Sequence, residues 1–144
     1  LKSVYLAEGA LAARNRLLME KYAAMQAEAC AECWNTDDAE LVVVAFGSMA
    51  RIARSAIRKL REEGLKAGLF RPKTLYPFPA DALRALAPGR RFLVIEQNTG
   101  QMVEDVRLSL MGENARVDWH GVMPGLFIGA DALEDPIRQA CEEN

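Results

Sequence analysis

Leu41-Val42-Val43-Val44-Ala45-Phe46-Gly47-Ser48 is the stretch on which the fold turns. Six consecutive apolar, mostly β-prone residues read as a strand covered on both faces, because a strand with one wet face alternates apolar with polar. Gly47-Ser48 breaks the run, and Ser48 is placed to cap a helix over residues 49–63. Along that segment Ile52, Ala53, Ala56, Ile57 and Leu60 recur at helical spacing, and Gly64 stops it. A buried strand feeding an amphipathic helix is the first half of a strand–helix–strand unit in a parallel sheet.

Downstream the rhythm repeats. Lys66–Phe70 reads as a strand, and Arg71–Pro79 as an extended segment punctuated by Pro72, Pro77 and Pro79. Asp81–Leu86 reads as a short helix ended by Pro88-Gly89. Phe92–Glu96 is a third strand, Asn98-Thr99-Gly100 a turn, and a helix runs on to Leu110 with Met102, Val103 and Val106 facing the core. Ala115–Trp119 is a fourth strand, 120–130 a loop containing Gly and Pro, and Leu133, Ile137 and Cys141 mark a last helix. Four strands, each leading into a helix, predict an α/β domain with a mainly parallel sheet between two helical layers.

Upstream, Leu11, Leu18, Tyr22, Met25, Ala29 and Cys33 fit one amphipathic helix over residues 9–34, stopped by Asn35-Thr36-Asp37-Asp38. This helix stands outside the strand–helix rhythm. The expected organisation is a connector over residues 1–38, arriving from a missing N-terminal domain, and an α/β domain over 39–144. The first residue, Leu1 rather than Met, fits a piece of a longer polypeptide.

The chain has 144 residues, 51% of them hydrophobic, which suits one domain with a substantial core. Its formal charge of −2 hides a segregation. Residues 1–40 carry a net −3, residues 41–91 a net +8 and residues 92–144 a net −7. No apolar run approaches the ~18 residues of a membrane span. There is no secretory leader pattern, and three cysteines are too few and too odd a number for a disulfide framework. A cytoplasmic protein with no membrane association is expected.

In open parallel sheets, binding loops gather at the carboxyl ends of the strands. There this chain has Gly47 and Ser48, then Glu96, Gln97, Asn98, Gly100 and Gln101, followed by Glu104 and Asp105. Gly47-Ser48 at a helix start either holds an anion or simply caps the helix. The polar cluster either supplies a base and ligand contacts or satisfies neighbouring backbone groups. Dinucleotide and P-loop glycine patterns are lacking. Arg51, Arg54, Arg58 and Arg61 fall on one helical stripe opposite the apolar face, with no acidic residue between them. They are candidates for an interface with an acidic partner. Interleaved aromatics are missing from this stretch, so nucleic acid is not an expected partner. Cys30-Ala31-Glu32-Cys33 has the letters of a redox or metal pair, but lies late in the expected helix without a second pair. His120, the lone histidine, has no partner at a catalytic spacing and is expected in the loop after the fourth strand. No catalytic residue and no metal site is expected.

Three segments carry a family resemblance: Asp38–Gly47; Arg71-Pro72-Lys73-Thr74-Leu75-Tyr76-Pro77-Phe78-Pro79; and Glu96-Gln97-Asn98-Thr99-Gly100-Gln101-Met102-Val103-Glu104-Asp105-Val106-Arg107-Leu108. In this order they resemble the C-terminal part of the alpha subunit of 2-oxoacid:ferredoxin oxidoreductases, most of all the 2-ketoisovalerate and 2-oxoglutarate types. Tyr5-Leu6 and Glu20-Lys21-Tyr22 are similar to the helix that joins this part to the pyrimidine-binding domain. The resemblance implies a transketolase C-terminal-like three-layer α/β/α sandwich, parallel but usually with one antiparallel strand. It implies a complete enzyme that uses thiamine diphosphate, Mg, iron–sulfur clusters and coenzyme A, none bound by this fragment. It implies as partners the other domains of the alpha subunit, beta and gamma/delta subunits, and ferredoxin. Where relatives usually have Gly-Gly after the fourth strand, this chain has Pro124-Gly125. An architectural domain, inactive by itself, is therefore expected. The alternative is a stand-alone module holding a nucleotide or coenzyme A at the strand ends.

Overall fold

The structure, a computed structural model, describes residues 4–143, so Leu1 and the start of the expected connector lie outside the described residues. Helices α1 (Ala10–Met25), α2 (Gly47–Glu62), α3 (Ala80–Arg84), α4 (Met102–Ser109) and α5 (Asp131–Glu142) accompany five strands. These are β1 (Ala31–Trp34), β2 (Leu41–Val44), β3 (Ala67–Pro72), β4 (Arg91–Glu96) and β5 (Val117–Gly121). They form one sheet in the order β1-β3-β2-β4-β5. All neighbours are parallel except β1, which runs antiparallel to β3.

The apolar run sits at the centre of that sheet, as a strand buried on both faces must. Leu41 and Val43 point with Leu93, Ile95 and Leu69 into a core closed by α2 and α5. Val42 and Val44 point with Phe70, Phe92 and Val94 into a second core closed by α3 and α4. The period-two alternation of strand side chains thus distributes one run between two cores. On α2, Met49, Ala50, Ala53, Ala56, Ile57 and Leu60 are buried. Each large aliphatic side chain so buried contributes about 1.5–3 kcal/mol. The helix ends in a Schellman pair, Leu65 N–H donating to the Leu60 carbonyl and Gly64 N–H to that of Arg61.

Three expectations are corrected. The N-terminal helix does not reach residue 34: α1 ends at Met25, a 3-10 turn spans Gln26–Glu28, and residues 31–34 form β1. The periodicity that suggested one long helix is weak in fact, since no residue of α1 is buried. Cys33 is accordingly an exposed residue of an edge strand, not part of a helical stripe. Ser48 does not cap α2, which begins one residue earlier with extended Phe46 at the cap position and no capping side chain. His120 lies within β5, opposite Ile95, rather than in the loop beyond it.

Charge segregation in the sequence is largely spent inside the fold. Arg91 donates to the carbonyls of Ala140 (2.8 Å), Cys141 (2.9 Å) and Glu143, placing a cation on the C-terminal end of α5. Arg90 binds the carbonyls of Asp37, Ala39 and Leu86. Lys59 pairs with Glu134 at 2.8 Å and Arg138 with Glu63 at 2.6 Å, tying α2 to α5. No helix among the described residues is long and apolar enough to cross a membrane.

Candidate functional site

Strands β2 and β4 are neighbours whose following helices leave to opposite faces of the sheet, α2 to one and α4 to the other. Their carboxyl ends therefore splay apart into a crevice, the usual ligand position in open α/β sheets. A cleft of about 310 Å³ opens there, walled by Ser48, Ile52, Gln97 and Gly125–Ile128. Gly47 and Ser48 are exposed at its rim. Gln97 reaches across it, Nε2 donating to the Leu126 carbonyl at 2.6 Å. Of the seven candidates, Ser48 and Gln97 thus meet at one opening, with Gly125 of the Pro124-Gly125 pair in its wall, while Gly47 is exposed next to Ser48.

The other four build the start of α4. Asn98 Oδ1 accepts from the N–H groups of Gly100 (2.8 Å) and Gln101 (3.2 Å), closing the turn. Gln101 Nε2 reaches Thr99 Oγ1 at 3.4 Å. Glu96 is fully buried, and its carboxylate accepts three donors. These are Met102 N–H (2.8 Å), Val103 N–H (3.1 Å) and the indole Nε1–H of Trp119 (3.0 Å). A carboxylate so placed satisfies two free N–H groups at a helix N-terminus and balances its positive end. It is not available to abstract a proton. Partial burial, with Glu104 and Glu96 close by, pushes the Asp105 carboxyl above the usual range.

Trp119 supplies the contact that sequence reading missed. It follows Val117 and precedes Gly121 on the α4 side of β5, and its indole lies flat over Gly121 to reach Glu96 opposite. A Cβ on Gly121 would fall 2.3 Å from Trp119 Cζ2 and 2.6 Å from Cη2, so only glycine leaves room. Gly121→Ala should displace the indole from Glu96. With Trp34→Phe as background, emission from Trp119 is expected to shift to the red and stability to fall by about 1.5–3 kcal/mol, the range for a hydrogen bond to a charged group. An unchanged emission spectrum would show that the ring is held some other way.

Within the arginine stripe, partners divide. Arg61 donates to Asp38 (2.6 Å) and to the Ala67 carbonyl (2.9 Å). Arg54 lies 4.9 Å above the Trp34 ring and 3.7 Å from Glu32, which also meets Arg71 at 3.4 Å. Arg51 and Arg58 are exposed, and their side chains have no ion pair among the described residues. The acidic partners come from β1 and the turn after it, which the uninterrupted run of basic helix could not reveal. Burial pushes the His120 imidazole below its ordinary value in the groove it shares with Arg116, Asp118 and Gln139. No group of three or more metal-ligating side chains occurs among the described residues, and the cysteines are free thiols.

Five strands in this order, with one antiparallel edge and helices on both faces, define a transketolase C-terminal-like α/β domain. A split-gene transketolase shares the fold with a TM-score of 0.62 at 20% identity, over 73% of this chain and 39% of that one. A 2-oxoglutarate:ferredoxin oxidoreductase from Magnetococcus marinus matches with a TM-score of 0.78 at 19% identity, over 96% of this chain and 24% of that one. Residues 39–127 match the family described as pyruvate:ferredoxin oxidoreductase core domain II, and the chain belongs to that family. Ketoisovalerate oxidoreductase subunit VorB of Methanothermobacter thermautotrophicus is 46% identical over 109 residues, 74% of this chain and 31% of VorB. Pyruvate synthase subunit PorA of Pyrococcus horikoshii is 32% identical over 120 residues, 77% of this chain and 30% of PorA. The chain thus spans about a third of the length of these curated relatives. Membership of this family sets aside the stand-alone nucleotide-binding module.

Proposed function

We propose that this chain serves as domain II of the alpha subunit of a cytoplasmic 2-oxoacid:ferredoxin oxidoreductase, with a branched-chain 2-oxoacid as substrate. The complete enzyme would cleave carbon dioxide from the 2-oxoacid, transfer the acyl group to coenzyme A and pass the released electrons to ferredoxin. The 46% identity to a ketoisovalerate oxidoreductase subunit carries this reading. The corresponding polypeptide would extend beyond the segment that carries α1 and would assemble with beta and gamma/delta subunits.

Within that enzyme the part played here is architectural. Thiamine diphosphate, bound with Mg, supplies the carbanion chemistry, and iron–sulfur clusters carry the electrons. The residues of this chain do not fit those groups. Glu96 has its oxygens committed to three donors, so it is not free to activate a thiazolium or pyrimidine ring. Cys30, Cys33 and Cys141 form no ligand cluster among the described residues. What the chain offers is a rigid strand-end rim, Gly47, Ser48 and Gln97, against which a neighbouring domain or the coenzyme A side of the active site can rest.

The test is reconstitution of the full-length subunit with its companions, thiamine diphosphate, Mg, coenzyme A and oxidised ferredoxin. Ferredoxin reduction is expected with 3-methyl-2-oxobutanoate in preference to 2-oxoglutarate or pyruvate, and none is expected from the 144-residue chain alone. Failure of every 2-oxoacid with the complete complex, or turnover by the isolated chain, would overturn the proposal.

A further inference from the structure

Strand β1 has little apolar burial to hold it. Its four residues pair with β3 alone and none is buried, although Ala31 and Trp34 lean on the two cores. Upstream, α1 has no buried residue either, and its Tyr22 ring meets Tyr76 edge-on at 6.3 Å. Attachment of the N-terminal segment to the sheet therefore falls largely to β1. At its first end the strand is pinned by Cys30, whose N–H donates to Thr74 Oγ1 at 2.9 Å and whose carbonyl accepts from Lys73 N–H at 2.8 Å.

Beyond that pin, charge grips the strand. Glu32 lies opposite Arg71, and its carboxylate faces three cations: Arg71 at 3.4 Å, Arg54 at 3.7 Å and Lys73 at 4.0 Å. One anion among three cations relieves a repulsion that α2 and β3 would otherwise carry between them. All four side chains are partly exposed, so the attraction is of the kind that salt screens. Closure also has a cost. Arg54 stacks over the Trp34 ring at 4.9 Å, and its Nε is buried without a hydrogen-bond partner among the described residues. Lifting the ring away returns that N–H to water, which favours the open strand.

We propose that β1 is an electrostatic clasp: a strand that lets go as a unit while the α/β body stays folded, with Glu32 setting how firmly it holds. Proteins open in contiguous local units, and those with few buried contacts open first. Strands β2 and β4 lie at the other extreme, with Leu41–Val44 and residues 92–96 buried. Because α1 is unburied, it goes with the strand when the clasp opens. This holds whichever 2-oxoacid the enzyme takes, since none of the residues walling the strand-end cleft takes part.

Amide hydrogen exchange of the full-length subunit, read by mass spectrometry on peptides covering each strand, tests this. Exchange in β1 is expected to be at least about ten-fold faster than in β2 and β4. Raising sodium chloride from about 0.05 M to about 1 M is expected to quicken β1 about three-fold and to leave β2 and β4 unchanged, as screening weakens the hold of Glu32. Glu32→Gln in low salt is expected to quicken β1 by a similar factor and to remove most of the salt response. Glu63→Gln, which breaks the ion pair with Arg138 between α2 and α5, is expected to leave β1 as it was. Exchange of β1 in step with β2, or a β1 rate indifferent to salt or to Glu32→Gln, would overturn the proposal. Should Glu32→Gln fail to fold, the salt series on the unsubstituted protein decides alone.

Discussion

Glu96→Ala is expected to destabilise the domain by about 3–5 kcal/mol, since two buried backbone donors and one part-buried indole lose their acceptor and each orphaned buried group costs about 1–3 kcal/mol. The donors are Met102 N–H, Val103 N–H and the Trp119 indole, all at 2.8–3.1 Å. Alanine also leaves a void between β4 and α4 that Val103 and Phe92, already packed, have little freedom to fill. Glu96→Gln keeps one acceptor oxygen but turns the other position into a donor facing donors, and about 2 kcal/mol should be lost. Urea denaturation followed by circular dichroism reads both as shifts of the midpoint at constant slope. A loss below about 1 kcal/mol for the alanine variant would mean that water replaces the carboxylate. Such a result would reopen Glu96 as a group in contact with solvent and therefore with ligands.

Gly68→Ala is the second large effect. A Cβ at this position of β3 would lie 2.5 Å from the Asn35 carbonyl oxygen, and 3.0 Å from both Asn35 C and Ala39 Cβ. The nearest obstacle is backbone, which cannot rotate away as a side chain can. The turn joining β1 to β2 must lift, pulling on the β1–β3 pairing where Trp34 lies opposite Leu69. Overpacking of this kind costs about 1–3 kcal/mol, and the rigid obstacle puts the expected loss at the upper end. Gly68 and Glu96 lie on strands separated by β2, which are roughly 10 Å apart by strand spacing, and the register places Gly68 level with Phe92, so Glu96 is further along still. The two losses should therefore add within about 0.5 kcal/mol in the double variant. Marked non-additivity would show that the two sides of the sheet are coupled through β2.

What the sequence made legible was whatever depends on near neighbours. Leu41–Val44 announces a two-faced strand by composition alone, and the α2 stripe ending at Gly64 announces its helix. β1 was hidden because Ala31–Trp34 becomes a strand only by pairing with β3, about forty residues later, while Ala29 and Cys33 imitate helical spacing. At the candidate site the polar crowding from Glu96 to Gln101 was visible. Its meaning was not, because burial of Glu96 is decided by Trp119, which comes from another strand. The arginine stripe misled for the same reason: Glu32 and Asp38 are distant in sequence and adjacent in space.

The antiparallel edge strand has one more consequence. Without β1, the border of the sheet on that side would be β3, whose Leu69 and Phe70 lie almost wholly inside the fold. A bare row of backbone groups beside such residues is a template for strand-to-strand aggregation. β1 covers it with four residues, of which Glu32 carries a charge and Cys33 faces out. The strand that interrupts the parallel order is thus a seam guard: it ends the sheet where further growth would be ruinous.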